Sequence, residues 1–232
     1  MRTDSLWKLE LLENTGKKFS LALKFFIPLV LVIPVAIPSV PPAVKAGGFT
    51  LAIAFVGIFG TAVGLSRMRE QHLIGRLSLL PLSPANMLLG YLGVNALLTG
   101  FQFLVPLVTF MILASPASGN TTAIAVGYCS VIIVSGGIGV LVSGIARSSG
   151  EGHLIAILAI LAITGVSGIF IPVGLQQGPG IAMLLPYGGL ASSLQHGVPG
   201  PGDQMTAVTA LLSAAFVLLV VVLSARNILR DR

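Results

Sequence analysis

The chain has 232 residues, 55% hydrophobic and 9% charged, with a mean hydropathy of +0.99. A soluble domain carries roughly 25% charged residues, so a soluble globular reading is excluded, and the length accommodates about six spans of ~20 residues with short loops. The net charge of +6 would suit nucleic acid, but its placement, traced below, argues for membrane topology and no nucleic acid; the single cysteine, Cys129, excludes an internal disulfide or a cysteine metal cluster.

Residues 1–24 mix Trp7, Leu9, Leu12 and Phe19 with Lys8, Glu10, Lys17 and Lys18. Two readings stand: a helix lying in the interface with basic residues toward headgroups, or an ordinary basic leader before a first span. No cleavable signal is expected, because the first apolar run is long enough to span and lacks a small-residue cleavage site. Phe25 to Val44 is uncharged and predicts the first span, kinked by Pro28, Pro34 and Pro38. Lys45, Gly47 and Gly48 predict a short turn, and Ala46 to Ser66 the second span.

The densest group of ionisable residues follows: Arg67, Arg69, Glu70, His72 and Arg76. Each charge would cost about 2.5–3.5 kcal/mol in hydrocarbon, so this piece lies in water or at the membrane surface. Leu73, Leu77 and Leu80, with Ile74, recur at helical spacing and form one apolar stripe. Pro81 stops that helix, and Pro84 is suited to the first turn of the next.

No charged residue occurs from Leu77 to Ala146, which is too long for one span. The turn residues from Ser115 to Asn120 divide it into a third span, about Met87 to Ala114, and a fourth, about Thr122 to Ala146. Arg147 to His153 reads as a polar loop, and Leu154 to Val173 as the fifth span. Residues 174–203 are rich in Gly and Pro yet apolar at Ile181 to Leu185 and Leu190 to Leu194, predicting one or two short helices on or dipping into the membrane. Gln204 to Ala225 is the sixth span, and Arg226 to Arg232 a basic tail.

With the N-terminus in the cytoplasm, Arg2, Lys8, Lys17, Lys18, Lys24, Arg67, Arg69, Arg76, Arg147, Arg226, Arg230 and Arg232 all fall inside. Only Lys45 falls outside, as the positive-inside rule requires. The expectation is an all-α polytopic membrane protein: one transmembrane domain over residues 1–232, six transmembrane helices and both termini cytoplasmic.

The spans hold no Asp, Glu, Lys or Arg, which argues against a proton relay or ion pathway. Asn95 and Gln102 are the notable polar residues of the third span and either hydrogen-bond between helices or touch substrate. Small residues at Gly57, Gly60 and Gly64, at Ser135, Gly139 and Ser143, and at Gly165 and Gly168 permit close helix approach. That approach is either within one subunit or between two. Gly165-Val166-Ser167-Gly168 is similar to the Gly-x-Ser-Gly of rhomboid intramembrane proteases, but the sixth span supplies no histidine to activate the serine. No phosphate-binding Gly-x-x-x-x-Gly-Lys-Ser/Thr loop is present, so any use of ATP comes through a partner.

The stretch Glu70 to Gly90 resembles the cytoplasmic loop of type-2 ABC exporter permeases, through Glu70, Gly75, Leu77, Leu80, Pro81, Ser83 and Gly90. Arg76 stands where that family commonly has Thr, and Tyr91 where it commonly has Lys. The resemblance extends to the N-terminal interfacial segment, six spans and the outer re-entrant segment. It implies that Arg69 to Leu80, within the loop 67–84, is a coupling helix seated in a groove of a separate ATPase. Arg69, Glu70, Leu73, Gly75, Arg76, Leu77, Leu80 and Pro81 would make that contact, and the second and third spans would act as its levers. It further implies two ATPase copies, which carry ATP and Mg, and a second permease copy as homodimer or related heterodimer. The chain itself would bind no cofactor or metal and would not be an enzyme. The expected function is the permease subunit of an ABC exporter in a prokaryotic cell membrane. The alternatives are a rhomboid-like protease or a membrane scaffold without transport.

Overall fold

A computed structural model describes residues 26, 28, 30, 37, 39–71, 83–114, 121–169, 186–196 and 202–230. Residues 26, 28 and 30 are helical, and the rest form six helices and no strand: α1 Pro42–Glu70, α2 Pro84–Ala114, α3 Thr121–Ile145, α4 Ser149–Ser167, α5 Pro186–His196 and α6 Gly202–Arg230. Five of these (all but α5) are long and apolar enough to cross a membrane. The predicted first span and the segment 1–24 lie mostly or wholly outside the described residues, as do the break at 115–120 and residues 174–185.

Several predicted boundaries shift. Lys45, Gly47 and Gly48 are helical, not a turn, because Pro42 sits in the first turn of α1 with Pro41 extended before it. At the other end α1 continues through Arg67, Arg69 and Glu70, so the span does not stop at Ser66. At 29 residues α1 is about 43 Å long, more than the ~30 Å of hydrocarbon, and its charged last turn overhangs. The loop expected at Arg147 to His153 contracts to a sharp corner, since α4 already starts at Ser149 with Ser148 as its cap. The same helix ends at Ser167, earlier than Val173, because Gly168 takes the left-handed conformation (φ 57°) that terminates a helix. The basic tail is also shorter than expected: α6 runs on to Arg230.

The helices are arranged around α3, whose apolar window is 61% buried against 17% for α4. A Cβ on Gly57 would lie 2.7 Å from Ser135 Cβ, and one on Gly139 would lie 2.6 Å from Thr61 Cβ and 2.8 Å from the Ile58 carbonyl. The small-residue ladders of these two helices therefore serve contact within one chain, with α1 and α3 side by side and parallel. Gly137 meets Phe216 and Val217 of α6, and Gly152 of α4 meets Ser66 of α1. Asn95 Nδ2 of α2 donates to Thr61 Oγ1 of α1 at 2.7 Å.

Three apolar clusters fill the bundle. The largest joins α1, α2, α3 and α5 around Phe49, Phe103, Phe110, Val131 and Leu190. Phe49 meets Phe103 edge-on at 6.1 Å and Phe110 at 5.4 Å, a favoured aromatic geometry. A second cluster joins Leu65, Leu92, Val140 and Val220, and a third Ile58, Ala62, Val142, Ala156 and Ile160.

Successive long helices alternate in direction, which brings Glu70, Pro84, the α3–α4 corner and Arg230 to one end of the bundle. Arg67, Arg69 and Arg147 belong to that end; among the described residues Lys45 is the one Lys or Arg at the opposite end. At that opposite end α5, only 11 residues long, buries Tyr187, Leu190, Ala191 and Leu194. The Tyr187 and Ser135 hydroxyls are hydrogen-bonded at 3.0 Å. Ser135 lies 14 residues into α3, about 21 Å along it. The start of α5 is thus set against the middle of α3.

Candidate functional site

Of the residues assigned to partner contact, Leu73, Gly75, Arg76, Leu77, Leu80 and Pro81 lie outside the described residues. Arg69 and Glu70 lie within them, on the last turn of α1, and both engage this chain itself. Arg69 Nη1 donates to the carbonyls of Ser143 at 2.6 Å and Ala146 at 3.3 Å, at the C-terminal end of α3. Glu70 Oε1 accepts from the Ser149 N–H at 2.6 Å, at the N-terminal end of α4. Neighbouring residues on a helix project about 100° apart, which lets consecutive side chains reach two different helix ends.

Each charge matches the end it meets. The last carbonyls of a helix lack intrahelical partners and carry partial negative charge, while its first N–H groups carry partial positive charge. An arginine fork satisfies the former, and a carboxylate satisfies the latter with a charge-assisted hydrogen bond. Glu70 lies beyond the apolar stretch of α1, which ends at Ser66, and is exposed. The Ser149 N–H holds its carboxyl below the usual carboxylate range, and nearby Arg67 adds to this.

The corner is further braced. Ser148 Oγ accepts from the Glu151 N–H at 3.2 Å, and Glu151 Oε2 accepts from the Arg147 N–H at 2.8 Å. This is the reciprocal Ser-x-x-Glu cap, shifted by one residue on the return bond. His153 bonds the Ser149 carbonyl through Nδ1 at 2.6 Å and meets the Phe59 ring edge-on at 5.5 Å. The Ser-x-x-Glu spacing was visible in the sequence at Ser148 and Glu151. The carbonyls of Ser143 and Ala146 carried no sequence signal, because any residue type presents a carbonyl.

On the far side of the predicted coupling loop, Ser83 caps α2: its Oγ accepts from the Asn86 N–H at 3.2 Å. Pro84 follows as the first residue of α2, as expected for its missing N–H. The Pro-x-Ser of the motif thus ends in a helix cap.

The two polar residues of the third span face neighbouring helices or the interior. Asn95 is committed to Thr61, and Gln102 is buried on α2. An apolar groove of about 290 Å³ between α2 and α3, lined by Leu97, Phe101, Tyr128 and Cys129, has its one phenol turned onto the Gly100 carbonyl at 2.6 Å. Such a groove has no free polar group to orient a ligand. Ser167 is fully buried and its hydroxyl has no hydrogen-bond partner among the described residues; a serine nucleophile needs a base within hydrogen-bond reach. Among the described residues no group of His, Cys, Asp and Glu is placed to hold a metal.

These observations define an all-helical protein with five helices long and apolar enough to cross a membrane, consistent with an integral membrane protein. Comparison with protein-family models, with curated proteins and with solved structures finds no match.

Proposed function

We propose that the chain is the membrane-spanning permease subunit of an ABC exporter, driven by a separate ATPase subunit. One observation carries this reading. The charged end of α1 leads directly into the amphipathic stretch 72–80, and the Pro81-x-Ser83 motif that closes the stretch starts α2. A segment strung between two membrane-crossing helices, apolar on one stripe and basic beside it, suits docking to a soluble subunit. Buried apolar anchors would carry the affinity and rim charges the register.

The remaining architecture agrees. Among the described residues every Lys and Arg but Lys45 lies at one end of the bundle, which in this reading is the cytoplasmic face of a prokaryotic cell membrane by the positive-inside rule. The predicted first span completes six crossings. In this reading α5 is the re-entrant outer helix, since Tyr187 reaches Ser135 in the middle of α3. Two copies of this chain, or this chain and a related one, form the pathway with two ATPases that supply ATP and Mg. A rhomboid-like protease is less well supported, given the unpartnered Ser167, and a scaffold leaves the amphipathic stretch without a task.

The test is co-purification from native membranes in mild detergent. An ATP-binding subunit is expected with the parent chain and is expected to be lost with Gly75→Leu or Leu77→Asp, while Leu31→Ala retains it. Parent and loop variants that bring down the same partners, or none with a nucleotide site, would remove the exporter reading.

A further inference from the structure

We propose that Arg69 and Glu70 are positioning residues that lock the end of α1 to the α3–α4 corner, so that displacement of the segment after Gln71 moves α1, α3 and α4 as one body. The identity of what displaces that segment rests on the exporter reading; the lock does not.

Several observations converge on it. Arg69 bonds two carbonyls at the end of α3, and Glu70 bonds the first N–H of α4. The two contacts are 74 to 79 residues away in the chain but are made by consecutive residues. Their order is electrostatically specific: exchanging the charges would set a cation against N–H groups and an anion against carbonyls. Behind the lock the helices already pack closely, with Gly139 against the Ile58 and Ala62 backbone and Gly152 against the Ser66 side chain. The cluster of Ile58, Ala62, Val142, Ala156 and Ile160 joins the same three helices.

Helix α2 stands in a different relation. It meets α1 through side chains, with Asn95 on Thr61 and the Tyr91 hydroxyl on the Gly60 carbonyl at 3.4 Å. The resemblance to exporter permeases implies lever action by α1 and α2, the helices joined to the loop. The lock transfers α2's share to α3 and α4, and it makes the α3–α4 corner part of the machinery although no sequence motif marks it.

The experiment uses the full chain in lipid nanodiscs in a Cys129→Ser background, with spin labels at Gln71 and Arg147. The parent is expected to show one narrow distance distribution. Arg69→Ala with Glu70→Ala should at least double its width, and should speed amide exchange at Ser149 at least tenfold. Arg69→Lys with Glu70→Asp should restore most of both, whereas Arg67→Ala on the same turn should change neither. Glu70→Gln, which keeps size and an acceptor oxygen, provides a folded variant with an intermediate effect if the alanine pair inserts poorly. Unchanged width and exchange in the alanine pair and in Glu70→Gln would overturn the lock. In complexes with the co-purified ATPase, the alanine pair should keep pull-down yield and the ATP KM but lower the permease-dependent kcat at least fivefold, with rescue by the Lys/Asp pair. A parental kcat beside a broadened distribution would overturn the transmission. Absence of any ATPase from the parent preparation would instead reject the exporter reading, and the label distances would still decide the lock.

Discussion

Gly139→Ala tests the packing that holds the bundle together. The added Cβ would lie 2.6 Å from Thr61 Cβ, 2.8 Å from the Ile58 carbonyl oxygen and 3.1 Å from the Ala62 nitrogen. Carbon atoms in contact sit at about 3.5–4.0 Å, so α1 and α3 must part by about 1 Å. Two of the three opposing atoms are backbone, which cannot rotate away. Overpacking of this kind costs about 1–3 kcal/mol. The substitution also gains about 0.8–1.0 kcal/mol of helix propensity, which hides part of the cost. Gly165→Ala is the matched control, because nothing among the described residues lies within 4 Å of its Cβ position. The propensity gain cancels between the two variants, and the difference isolates the clash. Reversible unfolding in mixed micelles, followed by circular dichroism, should place Gly139→Ala below Gly165→Ala by about 1–3 kcal/mol, with each 1.4 kcal/mol a tenfold change in the folding equilibrium. Equal stability of the two variants would refute direct backbone contact between α1 and α3.

Tyr187→Phe and Ser135→Ala each remove one partner of a buried bond, and a double-mutant cycle should return a coupling of about 0.5–1.5 kcal/mol; a coupling near zero would detach α5 from α3. The Glu70 carboxyl has its titration lowered from 4.5 by the Ser149 N–H, so its contribution is complete at neutral pH and is lost as pH falls through the lowered value. A drop in the protection factor of the Ser149 amide below that point is expected in the parent, and no such pH step in Glu70→Gln. Single cysteines at Gly119 and Gly200 in a Cys129→Ser background should react with an impermeant thiol reagent from outside intact cells, and one at Ser149 should not; the reverse pattern would invert the topology.

The sequence by itself determined the membrane class, the approximate position of five described helices and the sorting of every described Lys and Arg but Lys45 to one end. Hydrocarbon excludes charge and unpaired backbone so strongly that a run of ~20 apolar residues has essentially one outcome. Its errors fell at helix ends, where local propensity and tertiary contact compete. Lys45 and Gly47 looked like a turn, yet Pro42 started a helix through them. Arg147 to His153 read as a short polar loop because its polar residues were taken as solvated, when Ser148 and Glu151 cap α4 and Ser149 to His153 lie within it.

Only the tertiary structure decided which helices the small residues join. Gly57, Ser135 and Gly139 announced a close approach, but a ladder of small residues carries no address for its partner; the fold directed it within the chain. The same holds for Arg69 and Glu70. As sequence they were two charges at the mouth of a loop, assigned by resemblance to a partner subunit. Their counterparts are backbone carbonyls and an N–H, groups that every residue possesses, so nothing in the residue types of α3 and α4 foretold the pairing. It arises because α1 runs parallel to α3 and antiparallel to α4, bringing the end of one helix and the start of the next beneath the same turn of α1.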